Sequence, residues 1–180
     1  MTNKTILKVN LVISVLIFTI VCSTSALSFL MSSNPSIFAK IQKNCFDAKL
    51  TGKSEVPPKD TKATGFVQLN ANEGNNSMSY KINVTNIEKA TSVHLHQGKV
   101  GENGPSMVIP FKTDFPSPIT NGVLSGGNFT SANLENQSPV KNLKDLINMM
   151  NNGDVYVHVH TEANPAGEIR GQLLSCDAKV

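Results

Sequence analysis

The sequence predicts an all-β domain, a Greek-key β-sandwich or barrel with one short helix, behind an N-terminal hydrophobic segment. Three observations predict it. Apolar and polar residues alternate over about eight short stretches, the period of half-buried strands. Gly, Pro, Asn and Ser separate those stretches, as turns do in sandwiches and barrels. Only the stretch near 138–153 carries helical spacing. The 180 residues suffice for one domain with its own core. With 16% charged residues and a mean hydropathy of −0.11, a charge-driven disordered chain is excluded.

In chain order, residues 45–51 alternate through Phe46, Ala48 and Leu50, and a second strand covers 63–70. Met78, Tyr80, Ile82 and Val84 mark a third. A fourth spans 92–97, with Val93 and Leu95 on one face and His94 and His96 on the other. Residues 98–106 read as a loop, 107–111 as a short strand, 112–122 as irregular and 123–129 as a strand. Residues 154–161 and 168–174 complete the set, joined by a loop over 162–167. For the helix, Ser138 is the expected cap, Pro139 the first residue, and Gly153 the stop. Val140, Leu143, Ile147 and Met150 form its expected buried stripe.

Lys4 and Lys8 precede an uncharged run from Val9 to Val21, the pattern of an export signal. Small residues at Ser23, Thr24, Ser25 and Ala26 suit cleavage. Yet apolar character resumes at Leu27 and continues to Met31, giving 23 uncharged residues, enough to span a bilayer. Residues 1–31 are therefore a signal peptide or a membrane anchor, 32–44 a linker, and 45–180 the folded domain. Either leader places the domain outside the cell, secreted or tethered to the outer face of the membrane. Contact with the membrane is then only through the N-terminal segment.

Export also gives meaning to Cys45 and Cys176, which bracket the predicted strands 131 positions apart. They are candidates for a disulfide between first and last strands, with two unpaired buried thiols as the alternative. The net charge of +3 misleads, because four of the lysines precede the domain. From Cys45 onward there are 12 basic and 13 acidic residues, and Arg170 is the one arginine. A nucleic-acid partner is excluded on that balance.

The most specific chemical signal is histidine placement. All four histidines fall in two His-x-His pairs, His94/His96 and His158/His160. Residues two apart on a strand share a face, so each pair points opposite the valines beside it, away from the core. If the two strands are neighbours, four imidazoles converge, and one copper or zinc ion is the cofactor such nitrogens suit. Glu102, Asp154, Glu162 and Glu168 are candidate supporting carboxylates. The alternative is structural: histidines that hydrogen-bond loop carbonyls and close the edge of the sheet.

Several stretches together resemble the CHRD (chordin) domain family. They are Phe46-Asp-Ala-Lys-Leu-Thr-Gly52 with Glu55-Val-Pro-Pro58, Ala63-Thr-Gly65, and Val93-His-Leu-His-Gln-Gly98 with Asn103-Gly-Pro105. Gly153-Asp-Val-Tyr-Val-His-Val-His-Thr161 and Asn164-Pro-Ala-Gly-Glu-Ile-Arg-Gly-Gln172 follow in the family's order. The resemblance implies an extracellular β-sandwich, immunoglobulin-like or Cu/Zn superoxide dismutase-like, and does not imply an enzyme. His94, His96 and His160 match the family pattern, whereas His158 stands where the family commonly has Asn. A His-x-His on an outer strand face also looks like the copper strand of Cu/Zn superoxide dismutase, but the dismutase zinc ligands are not recognisable and dismutation is not expected. Glu168 and Arg170 share a face and are read as loop anchors, with Arg170 donating to carbonyls of the 164–167 turn.

Two functions remain after this reading. One is an exported protein binding copper or zinc through its paired histidines. The other is a non-catalytic adhesion or interaction module whose partner is an extracellular protein or surface component, its histidines structural. A metal-dependent oxidoreductase is a weaker third.

Overall fold

A computed structural model of the chain describes residues 44–108, 117–134 and 138–176. The expected leader at 1–31, residues 32–43 of the linker and the end of the strand expected at 107–111 lie outside the described residues. Among the described residues no helix is long and apolar enough to cross a membrane.

Among the described residues the domain is one curled, antiparallel sheet with one short α-helix. Its strands are β1 (Cys45–Thr51), β2 (Thr64–Ala71), β3 (Met78–Thr85), β4 (Ala90–Gln97), β5 (Ser106–Val108) and β6 (Gly122–Phe129). After helix α1 (Leu143–Asn152) come β7 (Val155–Thr161), β8 (Ile169–Gln172) and β9 (Leu174–Ser175). Neighbours run β5-β4-β7-β8-β1-β2-β3-β6, and β9 pairs with β1. Period-two alternation fixes the register, since a slip of one residue would expose every core side chain. Phe46 sits opposite Leu69, and Leu69 opposite Tyr80. These side chains join Val93, Leu95, Val157, Val159 and Ile169 in one core. A disulfide joins Cys45 to Cys176 and ties the start of β1 to the chain just past β9.

Two expectations need correction. The final strand is two strands, because Leu173 turns into the core between β8 and β9 and bonds its N–H to Val155 O. The helix begins at Leu143, not Pro139. The Ser138 hydroxyl is spent on Val140 N–H in a local turn. Asn142 is the cap: its side chain accepts from Asp145 N–H at 3.0 Å and donates to the Asp145 carboxylate at 2.9 Å. The buried stripe is accordingly Leu143, Leu146, Ile147 and Met150, with Val140 buried outside the helix. Gly153 ends α1 in the left-handed conformation, φ 75°.

Candidate metal centre

Pairing of β4 with β7 assembles the site. His94 lies opposite His158, His96 opposite Tyr156 and Ser92 opposite His160. Because Val93 and Leu95 on β4 and Val155, Val157 and Val159 on β7 are claimed by the core, the alternate positions point outward. One nitrogen each from His94, His96 and His160 falls in a cluster whose atoms all lie within 4.8 Å of one another. An ion bonded at about 2.1 Å needs nitrogens no more than about 4.2 Å apart.

Backbone carbonyls set the state of two of these rings. His96 donates Nδ1–H to Gly104 O at 2.9 Å, and His160 donates Nδ1–H to Pro165 O at 2.9 Å. Each bond fixes the tautomer in which Nε2 carries a lone pair. Both Nε2 atoms are buried and without a hydrogen-bond partner. Desolvation pushes His96 down to about 4, helped by the neighbouring imidazoles and opposed by the Gly104 carbonyl. Desolvation likewise lowers His160, against the Pro165 carbonyl. Both are therefore neutral at physiological pH, the form that ligates metals.

His158 is held differently. It is 7% exposed, and its Nε2 meets Glu55 Oε2 at 2.9 Å, so it stands beside the triad and not within it. Three of the four carboxylates expected from the sequence are occupied elsewhere. Glu168 accepts from Thr61 and Thr161 hydroxyls, each at 2.7 Å, Glu162 pairs with exposed Lys89, and Glu102 accepts from Lys99 N–H. Asp154 takes part through its backbone, its carbonyl accepting from Gly98 N–H. Glu55 is the carboxylate the sequence reading passed over. Its signal was its place in the Glu55-Val-Pro-Pro58 stretch, a polar residue in a bend that packs onto the sheet.

Arg170, 2% exposed, underlies the loop over 98–105. It donates to Lys99 O at 3.0 Å, Glu102 O at 2.6 Å and Asn103 Oδ1 at 3.1 Å. It therefore anchors this loop and not the 164–167 turn that the sequence suggested. The turn is bonded instead by His160 and Thr161, through Pro165 O and Asn164 N–H. The Arg170 guanidinium also lies 3.4 Å from the Tyr156 ring centre, and Tyr156 stacks on His96 at 5.1 Å and 15°. Tyr156 Oη accepts from Gly104 N–H, the residue whose carbonyl holds His96. Two glycines permit these approaches: a Cβ on Gly104 would strike Gln97 O, and one on Gly167 (φ 125°) would strike the His158 ring. Two cavities flank the loop. One of about 360 Å³ is lined by Gly98, Glu102 and Asp154, and one of about 540 Å³ by Glu55, Val100 and Arg170.

With this geometry in view, the chain can be set beside known proteins. It is 30% identical over 133 residues to Chordin of Xenopus laevis, covering 69% of this chain and 12% of that protein. It thus spans about an eighth of the relative's length. No solved structure matches it. The CHRD domain family model matches residues 46–173, which include β1 from Phe46 onward, both His-x-His strands and Arg170. The chain belongs to the CHRD domain family.

Proposed function

We propose that this CHRD-domain protein binds one transition-metal ion, copper or zinc, at His94, His96 and His160. The single observation that carries the reading is the pair of buried, unpartnered Nε2 atoms on His96 and His160, each on a ring whose Nδ1–H is already committed. A buried polar atom left unpaired costs about 1–3 kcal/mol. An ion bonded to both lone pairs removes that cost, and carbonyl partners on the far nitrogens are what metal-bound imidazoles use. All-nitrogen donors without thiolate suit Cu(II) or Zn(II). Three protein ligands leave a further coordination position open. Calorimetric titration of chelator-treated protein with Cu(II) or Zn(II) tests this. One equivalent should bind with a Kd below a micromolar, and His96→Ala with His160→Ala should abolish it; a Kd weaker than a micromolar, or no binding, refutes it.

The same reading places the domain outside the cell, secreted or held at the membrane by its N-terminal segment. Family membership and the Cys45–Cys176 disulfide support that location. It also takes the curled sheet as the core of a Greek-key sandwich.

A second reading is supported by the loop over 98–104. Arg170 holds it from beneath while Val100, 80% exposed, stands at its tip. As a non-catalytic interaction module, the domain would present that tip to an extracellular protein or surface component. Binding to intact cells should then fall on Val100→Asp and survive His96→Ala; the reverse pattern contradicts it.

A further inference from the structure

We infer that Glu55 is a positioning residue for the metal centre: it turns His158 so that Nδ1 supplies a fourth nitrogen to the ion held by His94, His96 and His160. This rests on the triad proposed above and deepens it. Glu55 is 5% exposed and lies on the segment between β1 and β2, far in sequence from every histidine. Its Oε2 accepts from His158 Nε2–H at 2.9 Å. In the neutral ring that bond leaves the lone pair on His158 Nδ1, which is buried without a hydrogen-bond partner. His158 therefore repeats, with the two nitrogens exchanged, the state of His96 and His160. In all three rings one nitrogen is tied to an oxygen and the other is buried and unused. The carboxylate–histidine pair is the usual outer partner of a metal-bound imidazole.

Ring positions put His158 next to the triad. Going round the cluster, centres are separated by 5.7 Å (His94–His96), 5.3 Å (His96–His158), 4.3 Å (His158–His160) and 5.2 Å (His160–His94). Across it, His96 and His160 are 6.3 Å apart. Imidazoles bound through nitrogen put their ring centres about 3.2 Å from an ion, so neighbours at right angles lie about 4.5 Å apart and opposite rings about 6.4 Å. Three of the four neighbouring separations exceed about 4.5 Å and His158 lies outside the nitrogens grouped within 4.8 Å, so its ring has to move inward for Nδ1 to reach the ion; four imidazole nitrogens are then a set of the kind Cu(II) takes. Gly167 leaves room for the His158 ring at its Nε2 edge, since any side chain there would occupy that position.

The test counts nitrogens. Full-length protein loaded with one equivalent of Cu(II) is examined by electron spin-echo and electron paramagnetic resonance, and Kd is measured by competition with a chelator. Wild type should show four imidazole nitrogens. His158→Ala and Glu55→Ala should show three, with Kd weakened about 10- to 100-fold. Glu55→Gln, which keeps an oxygen to accept from Nε2–H, should restore the fourth nitrogen. Retained copper in these variants also shows that they fold. Three nitrogens in wild type, or an unchanged spectrum in Glu55→Ala, overturns the inference and leaves the triad standing. Failure of wild type to bind copper at all overturns both.

Discussion

The two halves of the outer sheet surface make a useful contrast. On β2 and β3 the outward side chains, among them Phe66, Gln68, Ser79 and Lys81, are exposed. On β4, β7 and β8 the outward side chains are His94, His96, Tyr156, His158, His160 and Arg170, and loops from 52–58, 98–105 and 162–167 bond to them. The bare half needs no partners for its polar groups because water supplies them. The covered half must satisfy each group internally. It does so for Arg170, Glu168 and Thr161 and leaves one unpaired nitrogen each on His96, His158 and His160. The difference teaches that the histidine cluster is a site enclosed by loops and not simply the polar side of a sheet.

The largest expected effect separates the halves directly. Arg170→Ala strips donors from Lys99 O, Glu102 O and Asn103 and uncovers Tyr156. It should cost about 3–5 kcal/mol in urea denaturation. Equal costs for Arg170→Ala and Lys81→Ala would erase the contrast.

Next comes metal. Chelator-treated protein given Cu(II) at a hundredfold over Kd should gain about 2.7 kcal/mol of stability. Thermal unfolding should show that gain in wild type and none in the His96→Ala, His160→Ala double variant.

Acid should act on the covered half through His96 and His160. Both His96 and His160 titrate lower when folded, His96 at about 4 against 6.5 for the free side chain. Between those values the unfolded chain takes up more protons than the folded one, so acid favours unfolding. Metal-free stability should be complete above pH 6.5 and decline as pH falls toward about 4. His96→Gln should flatten that decline; a decline as steep as wild type would contradict the assignment. The smallest effect belongs to the bare half: Lys81→Ala should change unfolding by less than about 0.5 kcal/mol at any of these pH values.

How much of this was legible in the sequence follows from range. Strand positions, the core face and the outward histidines depend on alternation between neighbours, and Val93, Leu95, Val157 and Val159 display it plainly. Boundaries set by competing caps were harder: Ser138 and Asn142 both cap well, and only the path of the chain decides for Asn142. Pairings across long separations were beyond reach. Nothing local links Glu55 to His158, 103 residues away, or Arg170 to Glu102, 68 residues away. The same holds for the neighbourhood of β4 and β7, which the histidine pairs made attractive but which the order of the strands decides.

Elemental analysis of the full chain, purified at neutral pH without chelator, tests the central claim most directly. The account predicts about one copper or zinc per chain in wild type and none in the His96→Ala, His160→Ala double variant. Metal-free wild type that stays empty after incubation with both ions, or a double variant carrying as much metal as wild type, would contradict it.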